Sequence, residues 1–322
     1  MGKETNWTPG GRRELILRFT SKFRGDTFLI NKTHEAVMVE EVLTYLVIDK
    51  NGVYIDCTFG SGGHSQEILK ELQDEGRLIG IDRDVNVRDK VPLNLKSDKR
   101  FSLISDRFSN LKDHVKKDSI DGILVDLGIS STQLDDSDRG FSFQSKGPLD
   151  MRMDQTTGIS AEEWINTASK KEIEDVFWIL GEERASRKVA KIICEKRIKQ
   201  PITSTQELAE IVLSCIPRRG KKHPATNIFR AIRMQVNEEI KELYSVLEVA
   251  SFILRDGGRL AIISFHSIED RVVKRFIQGK DRISSSVNFK TVGGKHLKPS
   301  KEEIKENPRS RSAILRVAEK VA

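Results

Sequence analysis

Cysteine is scarce: Cys57, Cys194 and Cys215 are the only three in a chain of 322 residues. Their odd number and the lack of any CxxC spacing argue against a disulfide scaffold and against a cysteine-clustered zinc site. A reducing compartment, the cytoplasm, is the expected location. The six histidines are scattered without metal-ligand spacing, so no metal is expected. No stretch approaches the ~20 uninterrupted apolar residues of a membrane span. No internal repeat or low-complexity tract is present, and neither GxxxxGKS nor GxxxxGKT occurs, which excludes a phosphate-cradling P-loop.

What the chain does have is 37% hydrophobic residues, enough for an ordinary core, and a length near two average domains. Lys and Arg outnumber Asp and Glu by 55 to 48, a mild attraction to polyanions. Residues 1–33 carry Arg12, Arg13, Arg18, Lys22 and Arg24 against Glu4, Glu14 and Asp26. With acids present and no long apolar run, this segment reads as a flexible or docking extension rather than a targeting signal.

Beyond it, strands and helices alternate. Val53 to Phe59, Leu78 to Asp82, Phe101 to Ile104 and Ile123 to Leu127 are short apolar runs separated by helical stretches, beginning with Ser65 to Leu72. Such a rhythm predicts an α/β fold with a doubly wound, mostly parallel sheet. The rhythm then stops. Ser160 to Glu163, Ser169 to Glu172 and Ser204 to Glu207 have capping-box spacing ahead of apolar-periodic stretches, predicting a helical insert over residues 133–235. The sheet domain accordingly comprises 34–132 and 236–322. Its later part predicts a helix over Asn237 to Leu254 with an Asp256-Gly257-Gly258 stop, a fifth strand over Arg259 to Phe265, a helix starting at Ser267 to Asp270, and a last strand over Ala313 to Val317.

Gly60, Gly62 and Gly63 lie between a strand and a helix, where bare N–H groups can face a ligand. Asp82 ends the next strand about twenty residues on, where an acid can accept from both ribose hydroxyls. Position 65 is Ser rather than the third glycine of a dinucleotide fingerprint. S-adenosylmethionine (AdoMet), an adenosine without phosphates, therefore fits better than a dinucleotide. Asp56 lies one strand-end away and serves either the cofactor's cationic end or the turn itself. His64 either caps the following helix or meets the cofactor's carboxylate. Asp126 ends the fourth strand and points at the reactive end. The loop after it, through Arg139-Gly-Phe-Ser-Phe143 and Gly147 to Asp154, reads as a substrate loop.

Several motifs occur together and in order: His34 to Leu43, Asp56 to Ser65, Asp126 to Ser131, Arg139 to Phe143, Leu149 to Asp154, His223 to Thr226, Val236 to Glu239, Ser264 to Ser267 and Asn307 to Ala313. In them the chain resembles the RsmH (MraW) family, which methylates the exocyclic N4 of a cytosine in small-subunit (16S) ribosomal RNA. Ala36, Thr132 and Arg230 depart from the usual Pro, Pro and Gln. The resemblance implies a class I AdoMet-dependent methyltransferase (Rossmann-like) fold with an inserted helical domain for the substrate. It also implies AdoMet contacts from Gly62, Gly63, His64, Asp82, Phe108, Asp126 and Gln133, with Phe108 beside the adenine, and S-adenosylhomocysteine as the product.

The chemistry then asks for alignment and a proton acceptor. Asp126 is the first candidate and His266, in the loop after the fifth strand, the second. Carbon-5 methylation would need a cysteine nucleophile, typically in a Pro-Cys motif, and no cysteine here follows proline. Phe141 or Phe143 is a candidate to stack on a cytosine drawn out of its helix. Asp150, Arg152 and Asp154 either organise their loop by ion pairs or touch RNA. Arg184 to Arg233 holds thirteen Lys or Arg against three Glu and no Asp, densest at Arg218 to Lys222. Six neutralised phosphates would make binding fall with a salt slope of roughly 4 to 5. The expected partner is small-subunit rRNA or the assembled small ribosomal subunit, with no membrane and no DNA. Methylation of DNA or of another RNA, and a non-catalytic AdoMet-sensing RNA-binding module, are the alternatives.

Overall fold

Apolar runs that close on an acid build the centre of the fold. The computed structural model describes residues 36–218, 220, 223–281 and 288–322. The extension over residues 1–33 lies outside the described residues, as do Arg219, Lys221 and Lys222 of the basic cluster. Among the described residues, β1 (Val53–Asp56), β2 (Arg77–Asp82), β3 (Phe101–Ser105), β4 (Ile120–Asp126), β5 (Leu254–Ser264), β6 (Asn288–Leu297) and β7 (Ile314–Val321) form one sheet. Their order is β3-β2-β1-β4-β5-β7-β6. β1 to β5 are mutually parallel, and β7 runs antiparallel to both β5 and β6.

The helices follow in chain order. α1 (Val39–Leu46) precedes β1 and α2 (Gly63–Glu71) follows it; α3 (Leu93–Lys96) and α4 (Leu111–His114) are single turns around β3; α5 (Ser131–Asp135) comes after β4. Next are α6 (Ala161–Thr167), α7 (Lys170–Ile179), α8 (Ser186–Lys199), α9 (Thr205–Cys215), α10 (Ala225–Val236) and α11 (Glu239–Ile253), then α12 (Ser267–Ile277) and α13 (Lys301–Glu306).

Side chains alternate across the pleat, so each strand feeds two cores. Tyr54, Leu124, Ala261 and Ile263 bury against α1 and α2, while Ile55, Ile123, Val125, Leu260 and Ile262 bury against α11 and α12. β4 is buried from Ile120 to Val125, which is why it reads as a continuous apolar run rather than an alternating one. A third apolar cluster belongs to α6 to α10. Trp164, Ile173, Phe177, Val189, Ile193, Leu208, Val212, Ile228 and Ile232 meet there, together with Phe141, Leu149 and Met151 of the preceding loop.

The three serines predicted to cap do so: Ser160, Ser169 and Ser204 accept from the N–H groups of Glu163, Glu172 and Glu207. Of these three, only Ser204 with Glu207 completes the reciprocal box. Glu172 instead accepts from Trp164 Nε1 at 2.8 Å, trading a cap for a bond between α6 and α7.

Two readings need correction. Asp256-Gly257-Gly258 is not a stop before the strand but an irregularity within β5. Leu254 already pairs with Ile120, and the register resumes at Arg259 opposite Gly122. A β-bulge absorbs such residues without ending the ladder. β6 was not expected at all, since its sequence NFKTVGGKHL has two glycines and a weak apolar pattern. It becomes a strand through backbone pairing with β7, from Asn288 opposite Val321 to Val292 opposite Val317.

Candidate active site

β1, β2 and β4 each end on an aspartate: Asp56, Asp82 and Asp126. β1 and β4 are the strands between which the chain order reverses, and ligands of open α/β sheets bind outside the carboxyl ends at that crevice. Asp82 shapes the glycine turn directly. Its Oδ2 accepts from the Gly60 N–H at 2.7 Å and its Oδ1 from the Asp84 N–H at 2.9 Å. Gly62, the N-cap of α2, has φ +77°, and a Cβ there would lie 2.8 Å from Phe59 Cζ. A Cβ on Gly63 would meet Ala36 Cβ at 3.0 Å. Bare backbone is required at Gly62, a side chain at Gly63 would press on Ala36, and the first-turn N–H groups of α2 have no partner within the helix.

Burial loads this crevice electrostatically. Asp56 is 1% exposed and accepts from Ser65 Oγ at 2.7 Å and the Thr58 N–H at 3.2 Å. Burial pushes its carboxyl up, opposed by His64, Ser65 and Thr58. Asp56 is thus held inside the turn. Burial pushes Asp82 up to about 6 against the pull of the Asp84 and Gly60 N–H groups. Asp126 is likewise pushed up to about 6 by burial; His64 lowers it, while the negative charges of Asp56 and Glu269 raise it.

His64 does not cap α2. Its Nε2 lies 2.8 Å from the Val37 carbonyl, which only accepts, so Nε2 carries the proton. Nδ1 faces Asp126 Oδ2 at 3.8 Å. Enclosed as it is, Asp126 keeps a quarter of its side chain open to solvent, and its Oδ1 is buried with no hydrogen-bond partner among the described residues. A buried, unpaired carboxylate oxygen in a ligand crevice marks a position where a ligand donor belongs.

The donor set fits AdoMet. Among the described residues no lysine or arginine bonds Asp56, Asp82 or Asp126, so three carboxylates stand where phosphates would be repelled and a cationic nucleoside attracted. Asp82 would hold the ribose, the turn through Gly62 and Gly63 the amino acid end, and Asp126 the region of the sulfonium. Phe108, half-buried at the turn after β3, borders the same edge of the sheet. Asp82→Ala should weaken AdoMet binding about ten- to hundredfold in calorimetry, the loss of one or two bonds to a charged acceptor. An unchanged Kd would remove Asp82 from the cofactor site.

Other residues take places the sequence did not suggest. Gln133 Nε2 donates to Asp84 Oδ2 at 2.9 Å, and its Oε1 accepts from the Ser130 N–H. Arg139 Nη1 donates to the same Asp84 oxygen at 2.8 Å, and Nη2 reaches the carbonyls of Arg152 and Met153. Burial raises Asp84, but the bonds from Gln133 and Arg139 outweigh it and hold the carboxyl below its usual value. Asn237 is equally central. It accepts from the Met153 N–H and donates to the Met151 carbonyl, both at 2.7 Å, so the loop is tied to the junction of α10 and α11. The only sequence signal for Asp84 was its place two residues after Asp82.

His266 is the N-cap of α12, one residue before the expected start, and its side chain is 6% exposed. Its Nδ1 faces the Glu269 N–H at 3.4 Å; Nε2 lies 3.0 Å from Glu269 Oε1 but without hydrogen-bond alignment. Phe141 is buried under Arg139, and Phe143 stacks on His223 at 4.6 Å, so neither ring offers a free face comparable to an open platform. Asp150 pairs with Arg152 at 2.7 Å and Asp154 accepts from Thr156 and Thr157, which organises the loop from within. Burial, and after it the neighbouring Asp56 charge, pushes the Cys57 thiol well above its usual value and makes a thiolate nucleophile unavailable. Among the described residues no three His, Cys, Asp or Glu are grouped to hold a metal, and no helix is long and apolar enough to cross a membrane.

A parallel sheet closed by an antiparallel β7, with a glycine turn after β1 and an acid at the end of β2, defines a class I AdoMet-dependent methyltransferase. The chain belongs to the MraW methylase family, which it matches over residues 31–321. It is 47% identical over 306 residues to the ribosomal RNA small subunit methyltransferase H of Marinomonas sp. (strain MWYL1), covering 90% of this chain and 97% of that one. Among solved structures, an rRNA methylase from Streptococcus thermophilus aligns with a TM-score of 0.38 at 15% identity, over 88% of this chain and 94% of its own. A SAM-dependent methyltransferase from Aquifex aeolicus aligns with a TM-score of 0.41 at 8% identity, over 89% and 90%.

Proposed function

We propose that the chain transfers the methyl group of AdoMet to the exocyclic N4 of a cytidine in small-subunit (16S) ribosomal RNA, releasing S-adenosylhomocysteine. The observation that carries the mechanism is Asp126: a carboxylate at the mouth of the crevice with one oxygen lacking a partner among the described residues. AdoMet, when bound, supplies a methyl group already activated by its sulfonium. The chain's own residues must align the acceptor and remove its proton. A cytosine amine has its lone pair delocalised into the ring; a hydrogen bond from N4–H to the solvent-open part of the Asp126 carboxylate would turn that nitrogen toward the methyl. The carboxylate would take the proton released when the N–C bond forms. His64 Nδ1 faces Asp126 Oδ2 at 3.8 Å, and a protonated ring there would favour the ionised carboxylate. With both ring nitrogens turned to Glu269, His266 would act in holding α12 rather than as the acceptor.

Residues 133–235 are the part we assign to the RNA, with the sheet domain in 34–132 and 236–322. Not all thirteen basic side chains there are available to phosphates. Arg197 donates to the Ile165 and Ala168 carbonyls, Arg230 to Gly181, and Arg233 pairs with Glu239 at 2.7 Å. Lys188 donates to the Cys215 carbonyl at 2.9 Å, whereas exposed Arg184, just before α8, and Arg187 and Lys191 on its first turns fall at helical spacing and form a basic face. Arg187 and Lys191 contact Glu174 and Glu195, but surface ion pairs contribute little and exchange readily for phosphate. Arg187→Glu with Lys191→Glu should raise the KM for ribosomal subunits about tenfold or more, leave AdoMet affinity unchanged, and lower the salt slope by about 1.5 to 2. Parallel loss of AdoMet binding would overturn this division of labour.

A cytoplasmic location goes with a ribosomal substrate and three unpaired thiols. The deciding experiment is transfer of labelled methyl from AdoMet to small subunits lacking the modification, followed by nucleoside mass spectrometry. N4-methylcytidine is the expected product. Label in another nucleoside, or in DNA alone, would refute the acceptor.

A further inference from the structure

The turn after α7 contains Gly181, Glu182 and Glu183, and Glu182 sits in the left-handed region at φ +49° without being glycine. Such a conformation persists only where its surroundings over-determine it. Glu182 Oε2 accepts from Ser267 Oγ at 2.6 Å, and Oε1 accepts from Arg271 Nη2 at 3.1 Å. Its neighbours are pinned as well. The Gly181 carbonyl accepts from Arg230 Nη2 at 2.9 Å, and Glu183 accepts from Asn227 Nδ2 at 3.3 Å and from the Ala185 N–H at 2.9 Å.

These contacts join two regions far apart in the chain. Glu182 belongs to the helices α6 to α10; Ser267 opens α12 directly after His266, and Glu269 in that same first turn raises the Asp126 carboxyl through its charge. The Glu182 side chain is 42% exposed, so its ion pair with Arg271 adds little to stability, while the strained backbone subtracts from it. Stability therefore does not account for the arrangement, whereas geometry does.

We propose that Glu182 is a positioning residue: its carboxylate latches the end of α7 to the first turn of α12, so that RNA held on α6 to α10 meets Asp126 in register. This rests on the reading that those helices carry the RNA. The latch acts on orientation, not on affinity for either substrate.

The test is Glu182→Gly, which removes the carboxylate and relieves the left-handed backbone together. Its melting temperature should stay within about 2 °C of wild type, because strain relief offsets two surface contacts. On small subunits kcat should fall about tenfold or more, with the KM for subunits and the Kd for AdoMet within about twofold. Ser267→Ala cuts the latch from the other side. It should lower kcat in the same direction, and the double variant should be no worse than Glu182→Gly alone. A kcat within about twofold of wild type, or additive effects of the two substitutions, would overturn the latch. So would a large fall in melting temperature accompanied by weaker AdoMet binding. If wild-type protein formed no N4-methylcytidine, the substrate reading would fail separately, and amide hydrogen exchange would then judge the latch. Faster exchange at residues 177–183 and 267–271 in Glu182→Gly would sustain it; unchanged exchange would end it.

Discussion

Asp126→Asn should be a more stable protein and a far poorer methyltransferase. Removing the proton acceptor should lower kcat on the order of 10²-fold or more. AdoMet affinity should fall by less than about tenfold, since Asp82 and the glycine turn remain. Comparable losses in kcat and in AdoMet affinity would instead make Asp126 a cofactor ligand alone. For stability the sign runs the other way. The native carboxyl is raised from 3.8 to about 6, so holding it ionised at pH 8 costs about 2–3 kcal/mol. The native protein gains from this group only where it is protonated, fully below about pH 4, and loses that gain as pH rises through 6. Asp126→Asn should therefore unfold at higher urea than wild type at pH 8, with the difference closing as pH falls from 6 to 4. Wild-type turnover should drop tenfold per pH unit below about 6, and that limb should vanish in residual Asp126→Asn activity. A flat wild-type profile from pH 5 to 8 would contradict the assigned role.

Arg139→Met should have the largest effect on folding. Asp84 and Arg139 form a buried ion pair at 2.8 Å, with side chains 4% and 8% exposed. Leaving Asp84 without its guanidinium costs about 3–5 kcal/mol, or a fall in melting temperature of roughly 10 °C. The Asp84 carboxyl lies below its usual value in the native protein, so its contribution is present above about pH 4 and lost as pH falls below that. The deficit of Arg139→Met relative to wild type should accordingly shrink in acid. Asp84→Asn combined with Arg139→Met should recover much of the loss, because no charge is then left buried and unpaired. A deficit below about 1 kcal/mol would mean that Asp84 finds solvent or another donor when Arg139 is gone. Arg139 also bonds the Arg152 and Met153 carbonyls, so the variant should loosen the loop over residues 150–154, detectable as faster proteolysis there.

These two residues illustrate how unequally the site was legible. Asp126 was legible because an apolar run ending in an acid, at the carboxyl end of a central strand, carries a positional meaning of its own. Arg139 stood in a motif with no indication of its partner, since Asp84 is 55 residues away in the chain. Gln133 likewise carried only the family's implication, and its observed bonds go to Asp84 and Ser130. The sequence leaves Phe143 either to stack on a base or to anchor its loop; in the fold His223, just before α10, lies against its ring. β6 was silent because pairing on one edge with β7, rather than its own pattern, makes it a strand.

By itself the sequence determined the alternation of β1 to β4 with helices, the serine caps of α6, α7 and α9, the glycine turn, and the acids that end β2 and β4, whereas the first strand, expected to run to Phe59, stops at Asp56. All of these are local, because period, capping and turn conformation depend on residues a few positions apart. Tertiary structure alone decided which acids stay open and which are satisfied. Asp56 is closed by Ser65 and Thr58, Asp84 by Arg139 and Gln133, and Asp126 keeps one oxygen with no partner among the described residues. The reason is physical: a carboxylate's desolvation, and the neighbours that repay or leave it unpaid, come from strands and helices brought together only by the folded sheet.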